Sequence, residues 1–207
     1  QLRLEGGLLG AAQRGWLERV LDEQGGVVVE PWLDRVLDLS LQLDIDSSGS
    51  WSICGWVVFL TDARGQFRGV IVRHGTQESR REPLPPAHVF GEIVQEVAAV
   101  VGQALAQRGY AGPAGVDMLA YRHADAYRLK PIVGLNPRHT MGRLALQLAR
   151  RVAPQCAAVW RLLARGELER AGYAQISQYA ARATAAAPLS LSAAGVQRGV
   201  LFTTDPA

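Results

Sequence analysis

The chain has 207 residues, 48% of them hydrophobic and 20% charged, with a formal net charge of +3. These proportions exclude a disordered or fibrous protein and allow a substantial core in one domain, or one domain with an appendage. The cations are arginines apart from Lys130 and are dispersed along the chain, so no basic nucleic-acid footprint is read from them.

Cys54 and Cys156 lie far apart with no metal-type spacing, and are expected to be buried thiols in a reducing compartment. His74, His88, His123 and His139 have no i,i+4 partner, which argues against a zinc site. No apolar run approaches the ~20 residues of a membrane span, and "QLRLEGGLLG" lacks the plan of a signal peptide. A soluble cytoplasmic protein is expected.

In chain order, the glycine-rich start "LEGGLLGAAQRG" runs into helical spacing at Trp16, Leu17, Val20 and Leu21, which Gly25-Gly26 stops. A short buried strand is expected at Val27–Val29, breaking at Glu30-Pro31. Residues 36–45 alternate Leu37, Leu39, Leu41, Leu43 and Ile45 with Asp38, Ser40, Gln42 and Asp44, the pattern of a strand with one buried and one polar face. "GWVVFL" and "FRGVIV" read as two further strands joined through "TDARGQ", paired antiparallel. After the loop "REPLPPAH", Val89, Ile93, Val97, Val101 and Leu105 mark an amphipathic helix that ends at Gly109. "GPAGVDMLAY" and "YRLKPIV" form a strand pair about the turn "RHADA". Three helical segments are expected between about 141 and 183, and "RGVLFTT" reads as a closing strand. This order reads as α+β, with helices packed on an antiparallel sheet.

The residues fit for chemistry gather near the second strand pair. A hairpin there brings Asp117 and Asn136 to one edge of the sheet, and a carboxylate with an amide oxygen suits a hard cation such as Mg2+. Arg138 offers a guanidinium fork for a phosphate or carboxylate, and the helix starting near Met141 aims free N–H groups at the same place. The alternative is that Asn136-Pro137 only starts a turn and Arg138 is solvated. Asp38 and Gln42 face either a nucleotide or water. Trp51 and Trp56, flanking Cys54, read as sheet packing, and Arg73-His74 as surface.

"GYAGPAGVDMLAY" followed by "YRLKPIVGLNPRHTMG" resembles the C-terminal half of an ATP-grasp domain, where an Asp-bearing strand precedes Glu-x-Asn-Pro-Arg. "VVVEPWLDRVLDLSLQ" resembles the adenine-side strand and hinge of the same fold. The resemblance spans residues 7 to 150 and implies a partial ATP-grasp domain over 1–153, with a helical C-terminal extension and closing strand over 154–207. It implies an ATP-dependent carboxylate–amine or carboxylate–thiol ligase acting through an acylphosphate, on small carboxylate and amine or thiol substrates. By position, Val29, Glu30, Trp32 and Leu33 line the adenine and ribose, with Gln42 beside the nucleotide and Arg14 near the phosphates. Asp117 and Asn136 hold Mg2+, while Asn136 and Arg138 act on the phosphate or acylphosphate.

Three departures from the family pattern stand out. Gly134 occupies the place of the glutamate that bridges magnesium ions, which weakens the expected metal site. No lysine precedes the glycine-rich loop; Arg3 and Glu5 are there instead. By the resemblance the chain starts inside the fold, so the expectation is either a fragment or truncated gene, or a homodimer or partner that supplies the missing N-terminal part. The same departures define the alternative reading, a degenerate, non-catalytic binding or scaffold module.

Overall fold

The computed structural model describes residues 9–62, 65–73 and 87–206. The start of the chain with Arg3 and Glu5, residues 63 and 64, and residues 74–86, with His74 and the prolines of "REPLPPAH", lie outside these. The chain divides into two compact units, Gln1–Asp34 and Arg35–Ala207.

The first unit contains one helix, α1 (Ala11–Gln24). The Gln13 side chain accepts from the Gly10 N–H at 2.9 Å, satisfying one free donor at the N-terminus. At the other end the Gly25 N–H bonds to the Leu21 carbonyl. The helix has no buried residue. The strand expected at Val27–Val29 does not form: this stretch has no regular structure, and Val28 and Val29 are 88% and 78% exposed. A strand needs a ladder partner and a covered face, and this unit provides neither among its described residues.

The second unit is built on a six-stranded sheet of order β5-β4-β1-β2-β3-β6. Its strands are β1 (Asp34–Ile45), β2 (Trp51–Thr61), β3 (Phe67–Arg73), β4 (Gly112–His123), β5 (Ala126–Asn136) and β6 (Ala157–Arg161). The β1–β2, β2–β3, β3–β6 and β4–β5 pairings are antiparallel. The apolar positions of β1 alternate as the sequence predicts, and Leu39, Leu41, Leu43 and Ile45 are all buried. They meet Val97, Ala98, Val101 and Leu105 of α2 (Ala87–Gln107), together with Ala114, Val116 and Met118 of β4.

The opposite face of the sheet is also covered. Val57, Val70 and Val72 pack against Ala145 and Ala149 of α3 (Met141–Ala149). The polar face of β1, where Gln42 was expected to meet either a nucleotide or water, is thus covered by protein. Ser40 and Gln42 are 0% and 1% exposed, beneath the start of α3.

Beyond α3 the chain adds β6 to the free edge of β3, so the sheet continues past residue 153. It then forms α4 (Arg165–Arg170), α5 (Ile176–Ala186) and a small hairpin of β7 (Ser190–Ser192) and β8 (Gly195–Arg198). The closing strand expected over "RGVLFTT" stops at Arg198. Its residues turn back on α5 instead: the Val200 N–H bonds to the Ala187 carbonyl, and Phe202 stands edge-on to Tyr179 with ring centroids 6.4 Å apart. No helix among the described residues is long and apolar enough to cross a membrane.

Leu41 sits at the centre of the α2-side core with no exposure. Truncation to alanine is expected to cost about 2–5 kcal/mol in urea unfolding, through lost transfer energy and a residual cavity. Leu191→Ala, at a residue 64% exposed, is expected to stay within about 0.5 kcal/mol of the parent.

Candidate functional site

The β4–β5 hairpin turns at Ala124-Asp125, where Ala124 takes φ 51°. Its register sets Gly115 opposite Asn136 and Asp117 opposite Gly134, with an irregularity between Asp117 and Leu119. Asp117, in the interior strand β4, and Asn136, at the end of the edge strand β5, are thereby brought together. Asn136 Nδ2 donates to Asp117 Oδ2 at 3.0 Å. Arg138 donates to Asn136 Oδ1 at 3.3 Å and to the His139 carbonyl at 3.2 Å. Asn136 is half-buried and Arg138 exposed, so the guanidinium stays available to an anion.

A second set of contacts reaches Asp117 from beneath. Ser40 Oγ donates to Asp117 Oδ1 at 2.8 Å, and Gln42 Nε2 donates to Ser40 Oγ at 2.9 Å. Thr140 Oγ1 donates to Gln42 Oε1 at 2.6 Å, and also accepts the Arg143 N–H at 3.2 Å as the N-cap of α3. The predicted nucleotide residue Gln42 therefore has both ends of its amide bonded inside the protein. Asp38 is also engaged, by Thr61 Oγ1 at 2.6 Å and Arg35 at 3.4 Å.

Two glycines make room for this arrangement. A Cβ on Gly142 would stand 2.6 Å from Gln42 Nε2, and one on Gly115 would stand 2.7 Å from Thr140 Cγ2. Sequence reasoning singled out neither. Their signal was positional: Gly115 lies two residues before Asp117, and Gly142 four residues after Arg138.

Further along the same face, Arg143 donates to Asp44 Oδ2 at 2.5 Å, and the Cys54 thiol donates to the same oxygen at 3.2 Å. Cys54 occupies a bulge, because β1 pairs Gln42 with Gly55 and Leu43 with Ile53. Gly55 takes φ 139°, which the irregular strand requires and side-chain-bearing residues rarely adopt. Cys54 is exposed and Cys156 half-buried, so the expectation of two buried thiols fails at Cys54. Partial desolvation and the bond to Asp44 push the Cys54 thiol above its ordinary value, leaving it protonated at neutral pH. Partial desolvation pushes the Asp44 carboxyl up. The hydrogen bonds from Arg143 and Cys54, with the Arg143 charge, outweigh that and hold it below the usual value.

The remaining predicted residues lie in the first unit. Arg14 is on α1, and Val29, Glu30 and Trp32 are exposed in the irregular segment, with Leu33 half-buried. Trp51 and Trp56 pack against the α2-side core, as expected.

The Asp117 carboxylate supplies hard oxygens of the kind magnesium takes, while Ser40 and Asn136 turn hydrogen-bond donors toward it. Opposite Asp117, a Cβ on Gly134 would meet only Asp117 Oδ2, at 3.7 Å, so this side of the carboxylate is open. Asp117 would hold such an ion; the Asn136 oxygen would join it only with the amide turned over, since here Nδ2 faces Asp117 and Oδ1 accepts from Arg138. Among the described residues no group of three or more His, Cys, Asp or Glu converges to hold a metal.

No protein-family model and no curated protein matches the sequence. Among solved structures, a pyruvate carboxylase variant of Rhizobium etli with the allosteric activator acetyl coenzyme A is 16% identical, with a TM-score of 0.44 over 66% of this chain and 11% of that one. A Campylobacter jejuni biotin carboxylase in complex with β-γ-ATP is 14% identical, with a TM-score of 0.43 over 65% of this chain and 27% of that one. The biotin carboxylase domain dimer of Hydrogenobacter thermophilus 2-oxoglutarate carboxylase, with MgADP, ADP and bicarbonate, is 13% identical, with a TM-score of 0.43 over 66% and 30%. The chain thus spans less than a third of these proteins, and at this degree of similarity they define no function for it.

The Asp44 carboxyl titrates below its unfolded value, so its contribution to stability is fully present above the unfolded pKa of about 3.9 and is lost as pH falls through the folded value. Asp44→Asn is therefore expected to unfold at lower urea than the parent at pH 7. The two midpoints should converge in acid, which urea titrations at stepped pH will show.

Proposed function

We propose that the chain is an ATP-binding module of ATP-grasp type, holding magnesium and the nucleotide phosphates at the edge formed by β4, β5 and the start of α3. The observation that carries this reading is the direct contact of Asp117 with Asn136, with Arg138 bonded to the same asparagine. Three residues with different phosphate- and metal-directed chemistry converge there from two strands and a loop. The motif "GLNPRHTMG" puts them in the order that the resemblance implies.

In this reading Asp117 takes the cation, joined by the Asn136 oxygen once that amide turns over from its present bonds to Asp117 and Arg138, and the cation supplies charge neutralisation to the phosphates when bound. Arg138 binds and orients a phosphate or an acylphosphate oxygen through its planar fork. The α3 N-terminus adds favourable dipole alignment for an anion, because Thr140 caps only part of its free donors. The reaction class is carboxylate activation for attack by an amine or thiol, on small substrates.

A second reading, a binding or scaffold module without catalysis, is favoured by Gly134. The register sets it directly across from Asp117, and it contributes no oxygen. Asp117 is then the one carboxylate that the β4–β5 ladder offers at this point.

Calorimetric titration of the chain with ATP, with and without excess Mg2+, tests both readings. Magnesium is expected to tighten ATP binding, and Asp117→Ala to abolish that gain. A Cβ at Gly134 meets only Asp117 Oδ2, in ordinary contact at 3.7 Å, and Gly134→Glu is expected to strengthen magnesium-dependent binding by about tenfold, roughly 1.4 kcal/mol. Equal ATP affinity with and without magnesium, unchanged in Asp117→Ala, would remove the metal assignment.

A further inference from the structure

We infer that Thr140, Gln42 and Ser40 form a buried positioning relay that fixes the direction in which Asp117 offers its free lone pairs, an inference that rests on the proposed role of Asp117. The three residues are 9%, 1% and 0% exposed and come from α3 and β1, while the carboxylate they serve is on β4. They are linked by hydrogen bonds of 2.6, 2.9 and 2.8 Å, the last ending on Asp117 Oδ1.

The polarity of this chain follows from counting protons. The Arg143 N–H at the start of α3 can only donate, and it donates to Thr140 Oγ1. Thr140 has one proton of its own and gives it to Gln42 Oε1. That sets the orientation of the amide, whose nitrogen has only donors and points at Ser40. Ser40, now an acceptor on one side, has one proton left and one acceptor in line for it, Asp117 Oδ1. Every donor in the series thus points toward the carboxylate.

Asn136 Nδ2 holds the other oxygen, so each carboxylate oxygen receives one protein donor. A carboxylate has about four acceptor sites. Two remain, on a carboxylate that is only half-buried and is open on the side of Gly134. The relay keeps Asp117 from rotating to spend those sites internally.

Packing alone does not call for this arrangement, since apolar side chains at 40 and 42 would fill a covered strand face without partners to satisfy. Here the molecule instead keeps Gly115 and Gly142 clear so that the amide fits. The buried chain is neutral, so it orients the carboxylate without adding a charge that would compete with a cation.

The test combines two readouts on the full chain. The first is the carboxylate 13C resonance of Asp117 in aspartate-labelled protein, assigned with Asp117→Asn and recorded without metal or nucleotide. The second is ATP affinity in excess Mg2+. Ser40→Ala removes the final donor and Gln42→Met interrupts the chain at nearly constant shape. Both are expected to move the Asp117 resonance and to weaken magnesium-dependent ATP binding by about tenfold. Thr140→Ser, which keeps the hydroxyl, is expected to restore what Thr140→Val loses. Where Gln42→Met does not fold, Gln42→Glu keeps the shape, and its carboxylate draws the Ser40 proton away from Asp117, which should move the same resonance.

An Asp117 resonance unmoved in folded Ser40→Ala and Gln42 variants would overturn the relay, as would unchanged magnesium-dependent affinity in variants whose resonance has moved. A parent chain without magnesium-dependent ATP binding, whose Asp117 resonance nonetheless moves in the relay variants, would overturn the proposed function and support the relay as an orienting device.

Discussion

The burial of Gln42 is the constraint on which much of the second unit depends. An amide with almost no exposure must have partners at both ends, because each unmet polar group in such a place costs about 1–3 kcal/mol. That requirement places Ser40 two residues away on the same face of β1. It draws Thr140 down onto the strand, and with it the first turn of α3. It also excludes a side chain at Gly115 and Gly142, where a Cβ would press on Thr140 and on the amide. The position of Arg138 follows in turn, because it lies in the short connection between β5 and the residue that caps α3.

The two faces of the sheet therefore do different work. The face toward α2 is uniformly apolar, and its leucines and valines supply most of the buried aliphatic surface. The face toward α3 is apolar under β2 and β3 but polar under β1 and β4. The helix thus rests on Val57, Val70 and Val72 with its alanines while its N-terminus stands over hydrogen-bonding groups. The Arg143–Asp44 ion pair fastens the same end of the helix from the solvent side. A helix held at one end by polar contacts and along its length by apolar ones has a fixed rotation about its axis. That fixed rotation is what a binding site at its N-terminus requires.

Much of this was legible in the sequence, and the failures have identifiable causes. Strict alternation from Leu37 to Ile45, four-residue spacing in α2, and a turn between two apolar runs report local geometry directly, so these elements and the Asp117–Asn136 meeting could be read. The polar half of β1 was misread because alternation tells which residues share a face and not what covers it. Ser40 and Gln42 look the same under water as under a helix. Cys54 was misplaced because a bulge shifts the side-chain alternation, and its only mark was Gly55 in a strand pattern. The apolar run at Val27–Val29 has the composition of a buried strand, but burial needs a neighbour that composition does not supply. "RGVLFTT" failed in the same way, since rings on α5 and the Ala187 carbonyl claim it before another strand does.

The pairing of Asp117 with Gly134 separates architecture from chemistry at this site. A residue opposite an aspartate in an antiparallel ladder is close enough for its side chain to matter electrostatically, and a second carboxylate there would repel the first unless a cation lay between them. Glycine removes both the repulsion and the means of sharing a cation. The fold does not need a particular side chain at this position, since the ladder forms through backbone groups and the space above Asp117 stays open. Everything that orients Asp117 comes from elsewhere: Ser40 from below and Asn136 from alongside. Residue 134 thus sets the charge across from Asp117 and not whether the carboxylate is in place. For that reason the weakest feature of the candidate site, its single carboxylate, is compatible with an intact orienting framework around it.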